Sequence, residues 1–218
     1  PPRSTPKPSS AASDVYKRQD VIIIKSRSNT DNWMVYHNQA NQGVDPEDYY
    51  AELNSNSADV NSTVMLNDTA PTSTVVTIGS DNSVNGSGRT YVMYCFTEVA
   101  GYSKFGKYTT NGVSGDGPFI FLGFRPAFFL HKRTNDSGSN SDWRIWDSKR
   151  EGANINPIEI MLQPNDADAD YDSGNVAMDF LSNGIKVRAS DTGNNVPDGG
   201  LFIYWAFSES PFKNSRAR

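Results

Sequence analysis

Thr90-Tyr91-Val92-Met93-Tyr94-Cys95-Phe96-Thr97-Glu98 and Leu201-Phe202-Ile203-Tyr204-Trp205-Ala206-Phe207-Ser208-Glu209 are one stretch written twice. In both copies a glycine (Gly88, Gly199) stands three places before the first aromatic, and Phe, a small hydroxyl residue and Glu close the run. A run this short, this aromatic and preceded by turn residues reads as a buried strand.

Working outward, other segments pair up. Val21 to Ser28, a polar turn and Asn32-Trp33-Met34-Val35-Tyr36 correspond to Ala127 to Thr134, a longer Asn/Ser/Gly turn and Asp142-Trp143-Arg144-Ile145-Trp146. Leu53-x-x-Asn56-x-Ala58-Asp59 is matched by Leu162-x-x-Asn165-x-Ala167-Asp168. The offsets are 143−33 = 110, 162−53 = 109 and 209−98 = 111, so the chain holds a tandem repeat of domain size. The second copy, 105–213, shows about eight short strands with turns every 8–15 residues, the pattern of an antiparallel sandwich. Asn183-Gly184 predicts a type I′ hairpin between Phe180-Leu181 and Ile185-Lys186-Val187. The first copy, 20–100, has no counterpart of Phe105 to Leu122 and is expected to be a truncated sandwich with an open sheet edge. The expected fold class is all-β: tandem antiparallel β-sandwich modules of jelly-roll or concanavalin-like kind, the first one truncated.

Residues 1–19, PPRSTPKPSSAASDVYKRQ, carry neither periodicity nor core residues. Ser9 to Gln19 is what a widely used transposon-based sequencing adapter encodes in one frame, and Pro1 to Thr5 fits its outer arm. The segment is therefore read as a non-native tail and set aside.

Across the 218 residues the apolar fraction is 36% and the aromatic fraction 11%, enough large side chains for a core. A net charge of −5 without a Lys/Arg-rich cluster argues against a nucleic-acid surface. The lone Cys95 excludes an internal disulfide and a cysteine-based zinc site. No apolar run approaches the roughly 20 residues of a membrane span, and the opening residues lack the apolar h-region of a signal peptide.

The segments GYSKFGKYTTNG (101–112), GPFIFLGFRPAFFLHKRT (117–134), DWRIWDSKR (142–150) and MDFLSNGIKVR (178–188) resemble an uncharacterised domain family. That family recurs in tail-fibre-like and other virion proteins of marine bacteriophages. The resemblance implies a structural or adhesive virion module, extracellular when acting, with host-cell glycans or other virion subunits as partners and with oligomers formed through the parent fibre. It carries over no catalytic residue.

Residues with chemistry are few. His37 and His131 fall at non-equivalent places, and nothing in sequence pairs either with a nucleophile. Glu98 and Glu209 are repeat-equivalent and so lie in separate copies, unlike the close carboxylate pair of a retaining glycosidase. Asp166-Ala167-Asp168-Ala169-Asp170-Tyr171-Asp172 opens like a calcium loop but puts Tyr171 at the glycine position and Ala177 at the bidentate glutamate position, so a solvated acidic turn is expected. No catalytic residue, metal ligand or cofactor site is assigned. Strand alternation places Trp143 and Ile145 on one face and Trp146 and Arg144 on the other. The Trp143 face is expected to be core. The opposite face, with Tyr36, Trp146 and Arg144 beside Lys149 and Arg150, is the candidate glycan contact, the alternative being aromatic pairs packed inside.

Overall fold

A computed structural model describes residues 17–138, 140–152, 155–197 and 199–210. The adapter reading of residues 1–16, and residues 211–213 of the expected second unit, lie outside the described residues. The described chain forms an all-β sandwich architecture in which every strand pairing is antiparallel.

The first repeat supplies strands β1 (Val21–Ser26), β2 (Met34–His37), β3 (Tyr49–Glu52), β4 (Val60–Asn61) and β5 (Tyr91–Phe96). They form one sheet in the order β4-β3-β2-β1-β5. The second repeat supplies β6 (Ser103–Thr109), β7 (Phe119–Phe121), β8 (Pro126–Arg133), β9 (Arg144–Asp147), β10 (Ile160–Met161), β11 (Tyr171–Asp172), β12 (Met178–Leu181), β13 (Gly184–Val187) and β14 (Leu201–Ser208). Here β6-β14-β8-β9 make one sheet and β12-β13-β7 another. A bridge between Ile145 and Leu162 hands the first of these on to the β10-β11 ribbon.

Strand register shows how far the repeat extends. Tyr94 faces Ile23 across β5 and β1, as Trp205 faces Leu130 across β14 and β8. Tyr49 pairs Asn61 and Tyr50 pairs Val60; 111 residues on, Ile160 pairs Asp172 and Met161 pairs Tyr171. The same spacing makes Asn54 the counterpart of Asn165, two places from the Asn56 suggested by the Leu-x-x-Asn pattern. Each accepts from a tryptophan backbone N–H at 2.8 Å, Asn54 Oδ1 from Trp33 and Asn165 Oδ1 from Trp143. Each also donates its amide N–H to the residue before that tryptophan, Asn32 or Asp142. Gly88 and Gly199 both adopt a positive φ, +71° and +77°, which explains the glycine ahead of each closing strand.

The near-continuous apolar sequence of β1 and β14 follows from burial on both faces. In β14, Phe202, Tyr204 and Ala206 enter a core shared with Ile120, Phe180, Ile185 and Val187 of the β12-β13-β7 sheet. Ile203 and Trp205 turn the other way and meet Val21, Ile23, Val35 and Ala51 of the first repeat. The opposite face of the first sheet, with Ile22, Ile24, Met34 and Tyr36, is closed by Met65, Leu66 and Val84 from the segment after β4. The layers run in order: small sheet, large sheet, first-repeat sheet, loop layer. The repeats are thus joined through one shared core rather than strung as separate bodies.

The hairpin at 181–184 differs in detail from expectation. Leu181 pairs Gly184, so Ser182 and Asn183 form the turn, and neither has a positive φ. Gly184 is needed for another reason: a Cβ there would sit 2.2 Å from the Ile120 carbonyl oxygen of the adjoining β7.

Candidate functional site

The five residues expected to meet a glycan do not form a surface. Tyr36 and Trp146 have no exposed area at all. Trp146 donates from its indole Nε1 to the Val176 carbonyl at 3.1 Å and stands edge-on to His131 at 4.9 Å. Burial pushes the Tyr36 hydroxyl up to about 12. Arg144 is buried too, its guanidinium donating to Asp191 at 2.5 Å. Only Lys149 and Arg150 reach solvent. Arg150 is held between Asp147 at 3.1 Å and Asp170 at 2.5 Å, and Lys149 lies 3.8 Å from Glu209. Alternation was read correctly, but it separates inside from outside only in a sheet with one open face. Here both faces of the sheet are covered at β9, so both rings of the Trp-x-x-Trp pair go inside.

The other chemical candidates are structural in their settings. His131 shares a hydrogen bond between its Nδ1 and the Tyr108 hydroxyl, 2.6 Å apart, inside the second-repeat core. His37 spans the seam between repeats: its Nε2 lies 3.1 Å from the Tyr204 carbonyl, and its Nδ1 accepts from the Gln39 backbone N–H. Because a carbonyl can only accept, Nε2 carries the proton and the ring is neutral. Desolvation lowers the His37 pKa to about 4, and the carbonyl bond opposes this only in part. In the acidic turn, Asp170 is committed to Arg150. Among the described residues no group of three His, Cys, Asp or Glu side chains could hold a metal ion.

A concave feature lies on the seam, where no single-copy motif could reveal it. It is a cavity of about 210 Å³ with Asn41, Gln42, Tyr49 and Asp59 on the first-repeat side. Thr134, Asn135 and Leu201 line the second-repeat side. The turn before β3 builds one wall, with Asn41 and Gln42 at φ +46° and +59°. Its conformation is fixed by Asn41, which donates to the Val44 carbonyl, and by Lys107 of β6, which donates to the Gln42 carbonyl. The Asp59 backbone N–H donates to the Thr134 carbonyl at 3.0 Å, tying the two walls together.

Asp59 is the electrostatic centre of this seam. Both of its carboxylate oxygens are buried without a well-formed hydrogen-bond partner. Burial raises its pKa to about 7, offset in part by Lys132 and by the Asn41 backbone. Lys132 is fully buried, and desolvation lowers its pKa to about 8 against the pull of Asp59, Asp142 and Asp136. Its ammonium donates to the Arg133 carbonyl at 2.6 Å. The amide nitrogen of Gln42 is likewise buried and unpartnered. The Asp59 carboxylate and the Gln42 amide nitrogen are thus buried beside the cavity rather than presented into it.

Exposed rings lie elsewhere. Phe119 and Phe121 stand on the outer face of β7, while Trp33 and Tyr94 stand on the first-repeat sheet. Among the described residues no helix is long and apolar enough to cross a membrane.

One family comparison bears on the whole chain. A family described as a domain of unknown function, DUF7483, matches residues 4–211, a span that takes in both repeats. It also takes in residues 4–19, and nothing in it supports reading that segment as adapter. No curated protein matches the chain, and no solved structure does either. With a match over nearly its full length, the chain belongs to the DUF7483 family.

Proposed function

We propose that this chain is a non-catalytic structural or adhesive module of a phage tail fibre or related virion protein. The observation that carries the reading is the seam: repeat-equivalent strands β1 and β8 bring Ile23 and Leu130 into one shared core, with Trp143 and Trp205 packed among them. Tandem units fused through a core hold a fixed mutual orientation, which is what a load-bearing appendage needs. Peptides of this chain, such as 151–186 cut at its basic residues, should then appear in the particle fraction of purified marine phage. Finding them only in cellular fractions would overturn the assignment.

The cavity at the seam favours a second reading, a lectin-like module contacting host-surface glycans. Tyr49 supplies a ring on its wall, and Asn41, Gln42 and Asn135 line it beside that ring. A glycan array probed with the full chain separates the readings. Saturable binding abolished by Asp59→Asn or Gln42→Ala, with the fold intact by circular dichroism, selects the lectin. Absence of binding to any host glycan selects the spacer.

A further inference from the structure

The second copy provides a template for the sheet edge of the first. In the second copy, β14 is paired on both edges, by β8 on one side and β6 on the other. Among the described residues its counterpart β5 is paired by β1 alone and ends the sheet. The ladder fixes which groups are left over. The Arg27 backbone N–H donates to the Thr90 carbonyl, and residues paired directly across β1 and β5 sum to the same register. Alternation therefore turns the N–H and C=O of Tyr91, Met93 and Cys95 away from β1. At the matching positions of β14, Phe202, Tyr204 and Ala206 stand opposite Tyr108, Gly106 and Lys104 of β6.

The side chains differ between the copies as well, through what covers the sheet face that carries them. In the second copy Trp143, Lys132, Ile203 and Trp205 are 0%, 0%, 1% and 6% exposed. Their counterparts are Trp33, Lys25, Val92 and Tyr94, and Trp33 and Tyr94 are 36% and 45% exposed. Lys25 lies over the Trp33 ring at 6.0 Å and donates to the Ser26 carbonyl, as Lys132 donates to that of Arg133. The same constellation is thus built twice: in the second copy it is covered by the first repeat, and in the first copy Trp33 and Tyr94 stay exposed beside the β5 edge.

We infer that the free edge of β5 is a docking site for an antiparallel strand of the β6 type, carried by another repeat of this family. The register is set by the template. A Phe in the place of Phe105 comes opposite Tyr94, a Gly in the place of Gly106 opposite Met93, and a Tyr in the place of Tyr108 opposite Tyr91. Main-chain hydrogen bonds supply the attraction and the alternating rings supply the selectivity, as in other strand-addition complexes. A fibre extended this way adds repeats through its sheet edges as well as through their faces.

Cys95, the only cysteine, is exposed on this edge and reports its occupancy. The test adds the synthetic peptide GYSKFGKYTTNG (residues 101–112) to the full chain and follows alkylation of Cys95. Two modified peptides accompany it. One is N-methylated at Lys104, Gly106 and Tyr108, which removes the donors that face β14 in the template. The other is N-methylated at Phe105 and Lys107, on the opposite edge. The plain peptide and the second methylated one should slow alkylation about tenfold at saturation, and the first methylated one should leave it unchanged. Unchanged alkylation with the plain peptide overturns the inference, and so does protection that does not depend on which edge is methylated.

Discussion

Replacing Trp143 by alanine asks whether the seam holds the molecule together. The ring is fully buried, tilted against Trp205 at 5.7 Å between centroids, and its indole Nε1 donates to the Glu52 carbonyl of the first repeat at 2.9 Å. Truncating a buried tryptophan costs about 3–5 kcal/mol, and the stranded carbonyl adds to that. For a chain of this size about 4 kcal/mol corresponds to a fall in Tm of roughly 8–16 °C. The control is the repeat-equivalent Trp33→Ala. That ring is 36% exposed and has Lys25 over its face, so its loss should cost about 1 kcal/mol. Urea unfolding followed by tryptophan fluorescence and far-ultraviolet circular dichroism gives both values. A Trp143→Ala loss within about 1 kcal/mol of that for Trp33→Ala would refute the shared core.

Two further outcomes follow from named contacts. Gly184→Ala forces its new Cβ onto the Ile120 carbonyl oxygen, 2.2 Å away, so β7 must move and urea melts should show a loss of about 1–3 kcal/mol, whereas Gly88→Ala meets nothing within 4 Å and loses only through its positive φ. The pH profile of Tm holds two opposed contributions. His37 has a lowered folded pKa, so the stability it contributes is present above its unfolded value near 6.5 and is lost as pH falls through about 4. Asp59 has a raised folded pKa, so its contribution is present below the unfolded value near 4 and is lost as pH rises through about 7. Between pH 4 and 6.5, His37→Gln should therefore make Tm fall more steeply with rising pH, and Asp59→Asn should make it climb; identical slopes in the two variants would contradict the assignments.

The strands were legible because the repeat made each copy a check on the other. β14 announced itself through an apolar run with no polar face, and that run also signalled burial on both sides. The same burial on both sides extends to β2 and β9, which is why Tyr36 and Trp146 lie inside rather than on a solvent face. Asn183-Gly184 marked a hairpin correctly, yet its glycine serves close approach to β7, a contact between strands more than 60 residues apart that local turn chemistry cannot show. The seam cavity was out of reach for a related reason. Asp59 and Thr134 come together only because the two sheets pack face to face, and neither copy contains the site alone. The repeat itself carried the clue. Lys132 aligns with Lys25, and a lysine buried within a strand needs a carboxylate near it.

The most direct measurement is native-state hydrogen exchange read residue by residue on β1 and β8. These strands carry equivalent residues, Ile23 and Leu130, into the shared core from opposite sides. If the repeats form one cooperative unit, the slowest amides of both strands exchange through the same global opening and lose protection together as denaturant is added. Exchange of β1 through a separate opening, while β8 stays protected, would contradict the account and make the first repeat an independent body resting on the second.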